Sequence, residues 1–205
     1  MVRRALEARG ARGTVVDLGC GRGRLRAHLG DMAARYIGVD AVRYEGFPDA
    51  AQFLACDLES GAVPLPDGAA DIAVAVEVIE HLENPRALVR ELTRLARPGG
   101  WIAVTTPNQL SALSLATLVV KHRFSAFQDV SYPAHRTALL EVDLRRIASE
   151  CALTDATCEF SLQGRVPLTP WLWPRWASRA FPRALSENIL LIARKPATQG
   201  GDRGR

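Results

Sequence analysis

No stretch of the 205-residue chain is apolar for long enough to cross a bilayer as a helix, which takes ~20 residues. The longest apolar-biased run, Leu110 to Val120, is interrupted by serine and threonine. Cysteine is sparse: the four at positions 20, 56, 151 and 158 form no CxxC pair and no regular framework. That excludes a disulfide scaffold and a zinc ribbon, and predicts reduced thiols in a cytoplasmic protein. A long apolar core is missing from Met1 to Thr14, which carries four arginines, so a signal peptide is not expected. Neither a dominant basic block nor a glycine- and arginine-rich module is present, and the net charge is only +4 at a pI near 9.2; nucleic acid is not the expected partner. No internal repeat is found.

What is present is ordinary globular composition, 48% hydrophobic and 23% charged, in a length that suits one domain and is short for two. Its organising stretch is Val15-Val16-Asp17-Leu18-Gly19-Cys20-Gly21-Arg22-Gly23. It reads as a buried strand, Thr14 to Leu18, entering a glycine loop and then a helix to about Ala34. Three alternate glycines let a ligand approach bare main chain beneath a helix N-terminus. A tight strand-to-helix turn with no ligand, or a dinucleotide site, would read similarly on this stretch alone.

Further strands are expected at Tyr36–Asp40, Gln52–Leu58, Asp71–Val76 and Trp101–Thr105. A helix capped by Asn84-Pro85 should run through Leu88, Leu92 and Leu95 and stop at Arg97-Pro98-Gly99-Gly100. Beyond Pro107-Asn108 the rhythm weakens. A helical segment at Leu110–Val120, a helix at Leu139–Cys151, a strand near Thr157–Leu162 and a last strand at Asn188–Ala193 are expected. Strands alternating with helices specify a doubly wound α/β domain, here residues 1–195, with a disordered tail at 196–205.

Six motifs in order resemble class I S-adenosylmethionine-dependent methyltransferases: Asp17 through Gly23, Gly38-Val39-Asp40, Cys56-Asp57-Leu58, Glu77-Val78-Ile79-Glu80-His81-Leu82, Arg97-Pro98-Gly99-Gly100 and Thr106-Pro107-Asn108. The resemblance covers about residues 14–161 and the last strand. It implies a Rossmann-like seven-stranded sheet whose final strand is antiparallel, with S-adenosyl-L-methionine as cofactor. It assigns the methionine end to Gly19, Cys20, Gly21 and Gly23, the ribose to Asp40, the adenine to Asp57 with the Leu58 amide, and orientation of the cationic end to Asp17. A sulfonium, an ammonium and a carboxylate in one ligand suit a site that mixes acidic side chains with helix-terminal N–H groups. Glu77, at the end of the central strand, is counted with the cofactor residues.

Methyl transfer from a sulfonium needs an aligned acceptor and, for a hydroxyl, a place for its proton. Glu77, Glu80 and His81 follow the central strand where the methyl group should lie. The stretch also looks like the metal motif of small-RNA 3′-end 2′-O-methyltransferases and ubiquinone-pathway O-methyltransferases, with His135 as a fourth candidate ligand. Two readings stand together. In one, Glu77, Glu80, His81 and His135 hold a divalent ion that lowers the pKa of a hydroxyl. In the other, no metal is used and His81, ahead of His135, is the general base.

The segments 109–135 and 163–187 are expected to be irregular and to build the acceptor pocket. The second interleaves Trp171, Trp173, Trp176 and Phe181 with Arg165, Arg175, Arg179 and Arg183. It reads as a membrane-surface or lipid-substrate lid, as a nucleic-acid surface, or as a lid packed on the core or on a second copy. The lead-in before strand one is short, which leaves 109–135 as the better lid candidate. The functional expectation is O-methylation of a small or lipid-linked organic acceptor, with an RNA 2′-O-methyltransferase and a non-catalytic binding subunit as alternatives.

Overall fold

The structure is a computed structural model and describes residues 1–197. The apolar runs form one seven-stranded sheet: β1 (Gly13–Leu18), β2 (Ala33–Asp40), β3 (Gln52–Ala55), β4 (Ala70–Val76), β5 (Ala96–Pro107), β6 (Thr154–Phe160) and β7 (Asn188–Arg194). Their spatial order is β3-β2-β1-β4-β5-β7-β6, and β7 runs antiparallel to both its neighbours, as expected. The helices are α1 (Val2–Glu7), α2 (Arg24–Leu29), α3 (Pro85–Leu95), α4 (Ala112–Lys121), α5 (Glu141–Glu150) and α6 (Arg175–Ala180). No helix among the described residues is long and apolar enough to cross a membrane.

Strand periodicity divides the core between the two faces of the sheet. Val16, Ala73, Ala75 and Ile102 meet Leu88 and Leu92 of α3 and Leu144 and Ile147 of α5. Val15, Ile72, Val74 and Ala103 meet Val2 and Leu6 of α1, Leu29 at the end of α2, and Met32. Asp17 shares the parity of Val15, so its side chain enters the second face among apolar residues. The expected cap of α3 is present: Ala87 N donates to Asn84 Oδ1 at 3.0 Å, with Pro85 in the first turn. Such a cap contributes ~1 kcal/mol.

Several boundaries depart from the sequence reading. The helix after the glycine loop ends at Leu29, not near Ala34, because Gly30 takes φ 58 and turns the chain toward β2, which begins at Ala33. Arg97-Pro98-Gly99-Gly100 lies within β5. Arg97 Nε donates to Asp71 Oδ1 at 2.6 Å, and Gly99 N donates to Lys195 O at 2.9 Å, so this stretch is fastened to its neighbours as an irregular start of the strand, with Gly99 at φ 75. β3 stops at Ala55, which leaves Cys56-Asp57-Leu58 just beyond the strand, and β6 occupies Thr154–Phe160 where Thr157–Leu162 was expected. The lead-in carries a helix: Val2, Ala5 and Leu6 form a buried i, i+3, i+4 stripe hidden among arginines. The segments expected to be irregular contain α4 and α6. All four cysteines are free. Of the tail expected to be disordered, residues 198–205 lie outside the described residues.

Candidate active site

The carboxyl ends of β1, β2 and β3 bring Asp17, Asp40 and Asp57 to one edge of the sheet, beside the point where the strand order reverses between β1 and β4. Open α/β sheets bind ligands at such a point. Gly19 N and Cys20 N both donate to Val39 O, at 2.8 and 3.1 Å, and Gly21 N donates to Asp40 Oδ2 at 2.8 Å. The loop is thus stitched to the end of β2. Gly23 has φ 68, and a Cβ there would lie 2.6 Å from Pro48 Cδ, so glycine is required on both counts.

Asp17 is buried, and its Oδ2 accepts a short hydrogen bond from the Tyr36 hydroxyl. Its Oδ1 is buried with no partner. Burial lifts this carboxyl to about 7; the Tyr36 hydrogen bond opposes the rise and the nearby Asp40 charge adds to it. A buried carboxylate oxygen without a donor suits a cationic ligand group. Cys20, between these acids, has its thiol pushed up to about 12 by burial, which makes it a packing residue and not a nucleophile. Asp57 is exposed beyond β3, where its Oδ1 accepts from Glu59 N at 3.0 Å. Leu58 lines a cleft of about 180 Å³ with Leu82 and Asn84.

Glu77 does not pair with Glu80 across a helical turn. It adopts φ 54, a left-handed conformation that costs a side-chain-bearing residue ~1–2 kcal/mol, and this turns its carboxylate back onto the sheet. There Thr105 Oγ1 donates to Oε1 at 2.7 Å and Asn188 Nδ2 donates to Oε2 at 2.7 Å. Glu80 and His81 continue instead into a short 3-10 turn, Ile79–His81, clamped from behind by Arg136 N and Thr137 N donating to Glu80 O at 2.9 and 3.0 Å.

That clamp delivers His135 to His81. Their rings are 4.8 Å apart in an edge-to-face arrangement. His81 Nδ1 meets Ala134 O at 2.8 Å and His135 Nδ1 meets Ala126 O at 2.6 Å. A carbonyl only accepts, so each Nδ1 carries the proton and each Nε2 keeps its lone pair. Glu80 is almost fully buried, and neither of its carboxylate oxygens has a partner. Burial first, and the Glu77 charge second, raise it to about 8. The ligand atoms of Glu80, His81 and His135 lie within 4.8 Å of one another; among the described residues, Glu77 is not part of that group.

Two cavities adjoin the glycine loop and Glu77 and share Arg24, Leu25 and Val76 as a common wall; Glu80, His81 and His135 line neither. One, of about 310 Å³, lies against Asp17, Gly19, Cys20 and Gly21. The other, of about 420 Å³, is lined by Met1, Val2 and Arg3 of the N-terminal helix region and by His28, Glu77, Thr105, Gln163 and Asn188. Sequence reasoning missed the supporting residues Tyr36, Thr105, Asn188 and Arg3. An inward-facing tyrosine on the strand beside Asp17 was a readable signal. Asn188 was legible only once β7 was set antiparallel against Pro107.

Comparison with known proteins places this geometry. The family described as "Methyltransferase domain" matches residues 1–156. A Mycolicibacterium smegmatis protein named "probable S-adenosylmethionine-dependent methyltransferase" is 36% identical over 100 residues, 47% of this chain and 39% of that protein. A Bordetella pertussis ubiquinone biosynthesis O-methyltransferase is 31% identical over 104 residues, 46% of this chain and 43% of the relative. The chain therefore spans about two fifths of the length of these curated relatives. Among solved structures, an Archaeoglobus fulgidus SAM-dependent methyltransferase superposes with a TM-score of 0.65 at 19% identity, covering 95% of this chain and 93% of that one. A Burkholderia thailandensis 1,6-didemethyltoxoflavin-N1-methyltransferase, with 1,6-didemethyltoxoflavin and S-adenosylhomocysteine bound, gives a TM-score of 0.59 at 17% identity, covering 95% of this chain and 76% of that one.

Proposed function

The chain belongs to the methyltransferase-domain family and carries the Rossmann-like fold of the S-adenosylmethionine-dependent enzymes, and on that premise we propose that it transfers the methyl group to a hydroxyl oxygen of a small or lipid-linked organic acceptor. The observation that carries the oxygen assignment is the cluster of Glu80, His81 and His135, in which both imidazoles are held in the tautomer that leaves Nε2 free. The partial matches to ubiquinone biosynthesis O-methyltransferases support the same class.

In this reading the cofactor lies across the glycine loop, with Asp40 at its ribose, Asp57 and the Leu58 amide at its adenine, and the unpartnered Asp17 Oδ1 toward its cationic end. Glu77, pinned by Thr105 and Asn188, lies in the wall of the larger cavity and carries a fixed negative charge suited to a sulfonium. His81 Nε2 takes the hydroxyl proton while the Ala134 carbonyl stabilises the imidazolium through Nδ1. S-adenosylmethionine, when bound, would supply the methyl group to that oxygen, the electron pair of its methyl–sulfur bond passing to sulfur and S-adenosylhomocysteine leaving. His135 holds the second lone pair toward the acceptor.

The same donor set fits a divalent ion. Two imidazole nitrogens and a buried carboxylate with no other partner are borderline and hard ligands suited to zinc or manganese, and both imidazoles have the carbonyl partners that metal-bound histidines usually have. Bound there, an ion would lower the pKa of an acceptor hydroxyl. Incubation with labelled S-adenosylmethionine and fractionated extract, with and without chelator, followed by mass spectrometry of the product, tests the proposal. Label on a hydroxyl oxygen of a small molecule is expected. Label on nitrogen or carbon, or only in the RNA fraction, overturns it, and absence of cofactor binding by calorimetry would leave a non-catalytic binding subunit.

A further inference from the structure

The excursion between β6 and β7 is the part of the molecule whose surface the methyl-transfer chemistry does not explain. Between Glu159 and Glu187 the chain carries four arginines and not one acidic residue. Trp171, Trp176 and Phe181 do not pack on the core, and Trp173 is half-buried; this removes the lid packed on the core and leaves a lid against a second copy open. Trp171 and Trp176 are each 74% exposed, Phe181 is 64% exposed, and Leu168 is wholly exposed. Scattered exposed apolar residues need no explanation, but these four fall within fourteen consecutive positions.

The excursion is also built to hold them out. Residues 164–173 form a hairpin, with Val166 N donating to Trp171 O at 2.8 Å and Trp173 N to Gly164 O at 2.9 Å. Leu168 occupies its tip between Pro167 and Pro170 in a left-handed conformation, φ 63, so the backbone is strained where it presents a bare leucine to solvent. Pro174 then opens α6, which carries Arg175, Trp176 and Arg179 in just over one turn. Arg165 and Arg183 are paired, with Glu187 and Glu141. No ion pair engages Arg175 or Arg179 among the described residues. Because Asn188 stands opposite Pro107 at the end of β5, the excursion rises from the same edge of the sheet as the ligand cavities.

We propose that Leu168, Trp171, Trp176 and Phe181, with Arg175 and Arg179, form a docking surface for a bilayer bearing anionic phospholipid headgroups. Indole rings with an apolar body and one N–H donor suit the headgroup boundary, and arginines without carboxylate partners complement phosphodiesters. A protein partner would suit the apolar tip equally. Arg175 and Arg179, which no carboxylate balances among the described residues, favour the lipid surface. The hairpin and α6 are too short to insert deeply, so the contact is peripheral and salt-sensitive.

Sedimentation of the full chain with vesicles tests this. With phosphatidylcholine vesicles containing about 30% phosphatidylglycerol, binding is expected at low salt, falling steeply in 0.5 M salt; with pure phosphatidylcholine it should be at least tenfold weaker. Arg175→Glu with Arg179→Glu, and separately Trp171→Ser with Trp176→Ser, should each reduce binding about tenfold or more. Melting temperature and cofactor affinity should stay at the wild-type values, because these side chains are exposed. Equal binding to both vesicle types, or none to either, overturns the proposal. So does retention of a single-stranded RNA but not of vesicles, or a dimer in light scattering that the tryptophan variant dissolves. Vesicle binding is read without any methyl acceptor, so a chain that binds vesicles yet methylates no hydroxyl keeps this surface and sinks the reaction proposed above.

Discussion

From Gly13 to Leu58 the proposed cofactor half of the site is fastened largely by main chain: Gly19 and Cys20 amides reach Val39 O and Cys56 N reaches Asp40 O at 2.9 Å, with the Asp40 carboxylate adding one side-chain bond to the Gly21 amide. From Glu77 to Asn188 the proposed acceptor half is fastened by side chains drawn from distant segments. Thr105 and Asn188 fix Glu77, Ala126 and Ala134 carbonyls fix two histidines, and Arg136 Nη1 ties the histidine strap to Glu59 and Glu83 at 3.2 and 3.0 Å. Main-chain bonding depends little on residue identity, whereas every side-chain contact can be rewritten by one substitution. On the proposed reading, the donor end rests mostly on the fold itself and the acceptor end on the identity of single side chains.

The sharpest way to separate the halves is His81→Ala. Turnover should fall about 10²-fold or more, the usual contribution of a positioned general base, while calorimetry finds cofactor affinity unchanged. Wild-type turnover in the variant would move the chemistry away from the cluster. Gly23→Ala is the converse. A Cβ would meet Pro48 and Phe47 at 2.6–3.1 Å in a left-handed backbone, so the chain should lose at least about 2 kcal/mol in chemical denaturation and bind the cofactor poorly. Wild-type stability would mean that the loop is far softer than its contacts imply. A smaller effect is expected for Asp40→Ala, which releases the Gly21 amide and removes the proposed ribose acceptor: about tenfold weaker cofactor binding.

The same contrast explains how much could be read in advance. Asp17, Asp40 and Asp57 were legible because each lies at or just beyond the carboxyl end of a strand visible in sequence, and parallel order then sets them side by side. The meeting of His81 with His135 could be suspected only from the family resemblance, since it depends on a strap folding back onto Glu80 O. Glu77 illustrates the limit. Its spacing from Glu80 suggests one helical turn, and only the backbone, with φ 54 at that residue, shows the two carboxylates parting. The amphipathic stripe of α1 went unread because six residues dense in arginine give too short a period to recognise.

The smallest effect expected is on stability against pH, and it couples the halves. Asp17 and Glu80 both have folded pKa values raised by burial, to about 7 and about 8, from ordinary values of 3.8 and 4.5. A raised carboxyl binds its proton more tightly in the folded chain than in the unfolded one. Its stabilisation is full below the unfolded pKa and is lost as pH climbs through the folded value. Denaturation midpoints of the ligand-free chain should therefore decline between about pH 4 and 8, the Asp17 part fading first. S-adenosylmethionine, whose ammonium and sulfonium favour an ionised Asp17, should flatten the lower portion of that decline. Glu80→Gln should flatten the upper portion, and so should a divalent ion if one binds. A slope that neither cofactor nor Glu80→Gln alters would mean that these two carboxyls are better solvated than their enclosure indicates, and the electrostatic argument for both ends of the site would fail together.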